Sequence, residues 1–205
     1  FDGFLMPDGN IWFSDFNPIS GMEQNSFLFQ QAAQIGMSHQ DILMFILKHA
    51  CQRSNIEFPD EILEKRTIDR KHKKIIPVLF GGQNSERQVS LMSGTNVWLK
   101  LRQSKKNWPE PYMIGTDGMV WHLPYAFTLN HTVDEITESC KRAKNVASYL
   151  QEMRKKVIQK LSPLPGQVNE AWSIPKKMTL QNFIRQASQV FIALHGGMGE
   201  DGTLQ

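Results

Sequence analysis

An α/β architecture built on a parallel sheet is predicted by three features of this 205-residue chain. Two short apolar runs, Ile75–Phe80 and Val190–Leu194, have the length of buried strands. The first breaks at Gly81-Gly82 and the second runs into His195-Gly196-Gly197. Between them lie amphipathic stretches, beginning with Glu86–Leu101. Strand, glycine turn, helix and strand in that order favour a parallel sheet covered by helices.

Composition bounds the function classes. With 40% hydrophobic and 21% charged residues and a formal charge of +3, the chain is an ordinary globular mixture. That charge is too small to argue for a nucleic-acid partner. The longest apolar run, Ile42 to Leu47, falls far short of the roughly 20 residues a spanning helix needs, so no membrane partner is expected. Cys51 and Cys140 fit neither a disulfide framework nor a zinc site, which favours a cytoplasmic location. The chain starts at Phe1 and stops at Gln205, where a helix is expected to begin, so an internal stretch of a longer protein is expected.

Three regions are expected: residues 1–51, a charged linker at 52–74, and an α/β unit at 75–205. In the first, Gly3–Met6 and Ile11–Phe16 flank Pro7-Asp8-Gly9-Asn10, a strong hairpin signal. Helices are expected near Phe27–Ile35 and Ser38–Cys51, the second with Ser38 and Asp41 as a capping box. The linker mixes seven basic with five acidic side chains and few apolar anchors, the pattern of a solvated segment. In the third region Pro111–Ile114 and Met119–Leu123 suggest another hairpin across Thr116-Asp117-Gly118. Thr132–Leu161 reads as one long amphipathic helix or two consecutive ones. A proline loop, a helix at Leu180–Ala187 and the strand Val190–Leu194 follow.

Two sets of residues carry candidate chemistry. If Asp8-Gly9 form a two-residue turn, Gly3 faces Ser14, Asp2 faces Asp15, and Asn17 shares the face of Asp15. Like charges ~4 Å apart cost on the order of 4 kcal/mol at an effective dielectric of about 20. A hard divalent cation on these oxygen ligands would offset that. Spacing alone leaves open the plainer reading, a frayed Asp2 and a solvated Asp15. The second set comprises the two glycine turns. Gly81 to Glu86 opens a helix, where backbone N–H groups are accessible to a ligand, and Glu86 is either a first-turn residue favoured by the helix dipole or a partner for an ammonium group. His195 stands at the end of a strand, where open α/β sheets bind ligands. Ser90 and Ser93 are expected to pack or cap. No P-loop motif occurs.

Taken together, these residues resemble the D-alanine–D-alanine ligase family of the ATP-grasp superfamily. The segment FGGQNSERQVSL (Phe80–Leu91), with Ser93-Gly94, resembles that family's opening strand–turn–helix, and HGGMGEDGTLQ (His195–Gln205) its second signature. Asp2 to Ala33 is similar to the family's closing segment. The resemblance implies a C-terminal hairpin-plus-helices fragment of an ATP-grasp domain, followed by a Rossmann-like N-terminal domain with a helical insertion. This order reverses the family's, as in a tandem protein or a circular permutation. The central domain with its ATP-contacting lysines is not visible, so these residues are not expected to turn over substrate alone.

The resemblance also implies a reaction. ATP phosphorylates the carboxylate of one D-alanine, and the amine of a second attacks the acyl phosphate, giving a dipeptide for peptidoglycan. Asp2, Asp15 and Asn17 match the residues that hold Mg²⁺ (or Mn²⁺) between ATP phosphates. Gly21 matches a backbone donor to the transferring group, and Ser26 the contact to the second substrate's carboxylate. Glu86 matches the residue orienting the first ammonium, and His195 one near that substrate's carboxylate. A homodimer is a further expectation. Asp15 replaces the usual Glu, shortening reach by about 1.5 Å, and Ser20 replaces the usual Pro. These departures keep two other readings in view: a ligase with a D-lactate or D-serine acceptor, and a degenerate module that binds nucleotide without turnover.

Overall fold

A computed structural model describes residues 2–16, 22–59, 72–160 and 173–205. Strands β1 (Asp2–Leu5) and β2 (Ile11–Asp15) form a separate two-stranded sheet. Helices α1 (Phe27–Gln34) and α2 (His39–Arg53) follow. The remaining residues form a five-stranded sheet of β3 (Lys74–Gly81), β4 (Asn107–Ile114), β5 (Val120–His122), β6 (Lys176–Met178) and β7 (Phe191–Ile192). Its helices are α3 (Arg87–Leu101), α4 (Tyr125–Thr128), α5 (Val133–Lys160) and α6 (Leu180–Gln186). None of the described helices is long and apolar enough to cross a membrane.

The strand order is β6-β5-β4-β3-β7, with β3 parallel to both β4 and β7. The sheet is mixed rather than wholly parallel, because β5 runs antiparallel to both β4 and β6. The cause is local. Gly115 N–H bonds Met119 O and Gly118 adopts φ +71°, closing a tight turn that leaves only an antiparallel return. The strand β4 is longer than expected, since Pro109 and Pro111 argue against a central strand. Both are tolerated by direction: Pro111 O accepts from Leu123 N, so Pro111 and, two residues back, Pro109 face the β5 side. The ladder to β3 loses no donor. Strand β6 has no apolar signature; Lys177 pairs with Asp117 at 2.8 Å and lies over the Trp121 ring.

The first hairpin also departs from expectation. Met6 N bonds Asn10 O and Gly9 N bonds Met6 O, with Gly9 at φ +84°. That is a three-residue loop ending in a left-handed glycine, not a two-residue turn. Gly3 therefore faces Phe13 rather than Ser14. An irregularity between Asp2 and Gly3 shifts the register back, and Asp2 is opposite Asp15. The hairpin leaves Phe4, Trp12 and Phe13 exposed.

Helix α2 starts as anticipated. Ser38 Oγ accepts from Asp41 N while the Asp41 carboxylate accepts from Ser38 N, a reciprocal cap worth about 1 kcal/mol. The α1–α2 pair is part of the main core: Phe29, Ala32, Ala33, Met37 and Ile42 share one cluster with Phe80, Trp98, Tyr125 and Ile136. His39 stacks on Phe29 at 4.1 Å, and its ring bonds Tyr125 Oη and Gln24 O. Helix α3 packs on β3 through Gly94, where a methyl group would sit 2.5 Å from Phe80 Cγ. The 52–74 linker falls mainly on residues 60–71, outside the described residues.

Candidate active site

The site is built where the strand order reverses. From β3 the chain crosses to β4 on one side and later returns to β7 on the other. The loops leaving β3 and β7 therefore lie side by side at the carboxyl edge, the position where open α/β sheets form ligand crevices. A cavity of about 180 Å³ opens there between Gly81–Asn84 and Leu194–Met198 and is lined also by Ile114.

Each glycine in these loops answers a specific constraint. At Gly81 (φ +88°) a Cβ would lie 2.5 Å from Ile114 O, so both the backbone angle and the close approach to β4 require glycine. Gly196 has φ +66° and ψ 167°, a combination essentially confined to glycine. Any Cβ there would overlap the Glu86 carboxylate, which thus lies directly over the Gly196 backbone.

Helix α3 presents side chains to both loops. Ser90, fully buried, accepts from Gly81 N at 2.8 Å and donates to Ala193 O at 2.9 Å, tying the ends of β3 and β7 together. One turn later, Ser93 Oγ lies 3.1 Å from His195 Nε2. The other ring nitrogen, Nδ1, is 4.0 Å from Glu200 Oε1. Glu86 is the N-cap residue of α3, yet its side chain makes no capping bond and stays exposed. Its carboxylate is therefore available to a ligand at the rim beside His195, whose ring is 38% exposed.

Helix α1 reaches the residues that follow Glu86 through the start of α5. Gln30 Nε2 lies 3.3 Å from the His131 ring, and Phe27 meets that ring edge-on. Immediately after His131, Val133 N bonds Gln88 Oε1 and Asp134 pairs with Arg87 at 3.4 Å. The contact path from the beginning of α1 thus ends on the residues that follow Glu86. Ser26 is the N-cap of α1 in an extended conformation, and its hydroxyl is buried with no hydrogen-bond partner.

The structure puts the Glu86 carboxylate against Gly196, the residue after His195, and puts Asp2 across from Asp15. Asp15 Oδ1 accepts from Phe16 N at 2.8 Å. Asn17 and Gly21 lie outside the described residues. Among the described residues, no three His, Cys, Asp or Glu side chains gather as a metal site. Sequence reasoning missed Asn84, whose amide joins the two loops. A signal existed: Asn two residues before the helix N-cap, in the turn that follows Gly81-Gly82, is a side-chain-to-backbone turn former.

A family model described as D-ala D-ala ligase N-terminus matches residues 75–205. A D-alanine--D-alanine ligase of Shouchella clausii (strain KSM-K16) is 29% identical over 136 residues, 65% of this chain and 31% of that protein. The chain thus spans about a third of that relative's length. No solved structure matches.

Proposed function

The chain belongs to the D-alanine–D-alanine ligase family, and from that premise we propose that the full-length protein joins two D-alanines at the expense of ATP. The observation that carries this reading is the Glu86 carboxylate lying over Gly196 beside a partly exposed His195, at the crevice between two strand ends. A single exposed carboxylate against the Gly196 backbone, beside a small cavity lined by both glycine loops, suits one ammonium group. An ammonium held there by a charge-assisted bond gains about 1.5–3 kcal/mol.

In this proposal Glu86 orients the first amino acid through its ammonium, and His195 lies near its carboxylate. Ser93, within hydrogen-bond distance of His195 Nε2, fixes the ring's orientation. The donor set Asp2, Asp15 and Asn17 fits a hard divalent cation, all three being oxygen ligands, with the two aspartates opposed across the hairpin. Mg²⁺ bound there would neutralise phosphate charge during phosphoryl transfer. Gly21 offers a backbone donor to the transferring group, and Ser26 a hydroxyl to the second substrate's carboxylate. The unpartnered Ser26 hydroxyl supports that role.

Because α1 docks onto the start of α5, beside α3, the Ser26 and Glu86 segments are proposed to serve one site rather than two half-sites. A cytoplasmic location and a homodimer complete the proposal. The test is dipeptide and phosphate formation by the full-length protein with ATP, Mg²⁺ and D-alanine, with D-lactate and D-serine as competing acceptors. With a single composite site, Glu86→Gln and Ser26→Ala each silence the whole activity. Half the activity surviving each change would mean two separate sites, and no phosphate release by the unaltered protein would remove the ligase reading.

A further inference from the structure

We infer that Asn84 is a positioning residue that locks the two glycine loops into one unit and so places Glu86 against Gly196. The inference rests on the amino-acid reading of this site, but the geometry behind it does not. Asn84 Oδ1 accepts from Glu86 N at 3.1 Å, and Asn84 Nδ2 donates to His195 O at 2.8 Å. These partners dictate the orientation of the amide, since only its oxygen can accept from an N–H and only its nitrogen can donate to a carbonyl.

The two bonds do different work. The first shapes the turn that presents Glu86 at the start of α3. The second crosses 111 positions of sequence and fixes the backbone carbonyl immediately before Gly196. Ser90 joins the loops lower down, at Gly81 and Ala193, and Ser93 holds only the His195 ring. The peptide plane leading into Gly196 therefore depends on Asn84. Packing agrees: a Cβ on Gly196 would lie 2.8 Å from Asn84 Nδ2 as well as on the Glu86 carboxylate. Asn84 acts through these neighbours and is assigned no contact with a substrate.

The two bonds separate cleanly by substitution. Asn84→Asp keeps an acceptor for Glu86 N–H but has no donor for His195 O, and adds an anion beside Glu86. Asn84→Ala removes both. A residue that only shaped the turn would tolerate the aspartate. A residue that bridges the loops is damaged by both changes, since each removes the donor to His195 O.

The experiment uses the full-length protein with two readouts. The first is amide hydrogen exchange in the 196–199 loop, which needs no activity. Both variants are expected to exchange there about tenfold faster, with β3 and β4 unchanged. The second is kinetic: KM for D-alanine rises by about tenfold in both variants, while KM for ATP stays within about twofold. Unaltered exchange and KM in Asn84→Asp would overturn the inference. Loss of protection throughout the sheet in both variants would overturn it too, because a bridge between surface loops leaves the strands intact. If the unaltered protein makes no dipeptide, the ligase reading fails alone and the exchange readout still decides the role of Asn84.

Discussion

Gly196→Ala separates backbone strain from loss of substrate contact. The residue has φ +66° and ψ 167°, and its missing side chain leaves the space that the Glu86 carboxylate occupies. An alanine in that conformation costs about 1–3 kcal/mol. At roughly 2–4 °C per kcal/mol for a chain of this size, the melting temperature falls by several degrees. The steric conflict falls on the end of the Glu86 side chain and, at 2.8 Å, on the Asn84 amide that bridges the loops. Glu86 is exposed, and its flexible end swings aside without disturbing the core. If Glu86 holds the ammonium as proposed, the functional cost is larger, because the displaced carboxylate no longer meets it. Losing a charge-assisted bond of about 1.5–3 kcal/mol raises KM for D-alanine roughly ten- to a hundredfold. KM for ATP stays within about twofold. Steady-state kinetics at saturating ATP, with thermal unfolding of the same preparation, measures both. A variant that melts lower but keeps its KM for D-alanine would refute the placement of Glu86 as the ammonium's partner.

Three further outcomes follow from the packing. Gly94→Ala drives a methyl group into the ring of fully buried Phe80, and overpacking of this kind costs about 1–3 kcal/mol, read as a lower denaturation midpoint; an unchanged midpoint would show that α3 does not seat on β3 as described. Burial, with a smaller push from Asp117, raises the Cys140 thiol to about 12, so at pH 8 Cys140 resists a thiol reagent until the protein is unfolded; prompt native-state labelling of Cys140 would contradict its place in the core. Burial also holds the His39 and His122 rings below the usual histidine range, reinforced by Arg102 and Lys176 respectively and opposed by the Gln24 carbonyl and by Glu110. The unfolded chain then binds more protons than the folded one, so stability is full above about pH 6.5 and declines as pH falls through that value toward the folded pKa. Thermal unfolding at pH 7.5 and 5.5 checks the sign, and His39→Gln is expected to flatten the slope.

Much of this arrangement was legible in local chemistry. Ser38 and Asp41 announced the start of α2, and Gly81-Gly82 announced the turn into α3, because caps and left-handed turns depend on residues a few positions apart. Asp8-Gly9 announced a hairpin, but its register escaped sequence reasoning. A two-residue and a three-residue loop use the same residues, and backbone hydrogen bonding chose between them. The polar strand β6 escaped as well, since it is held by the Lys177 pair with Asp117 rather than by an apolar pattern.

The residue types of the candidate site were set by the chain alone: a carboxylate at Glu86, an imidazole at His195 and glycines in the two turns. Their convergence belongs to the tertiary structure. Glu86 and His195 are far apart in sequence, and only the pairing of β7 beside β3 brings their loops together. Ser90 and Asn84 then bind those loops through hydrogen bonds that no periodicity encodes. The same holds for α1 and α2, which were legible in sequence as helices but whose packing partner was not. A hydrophobic stripe specifies that something must cover it, and Tyr125, reached by His39, decides what does.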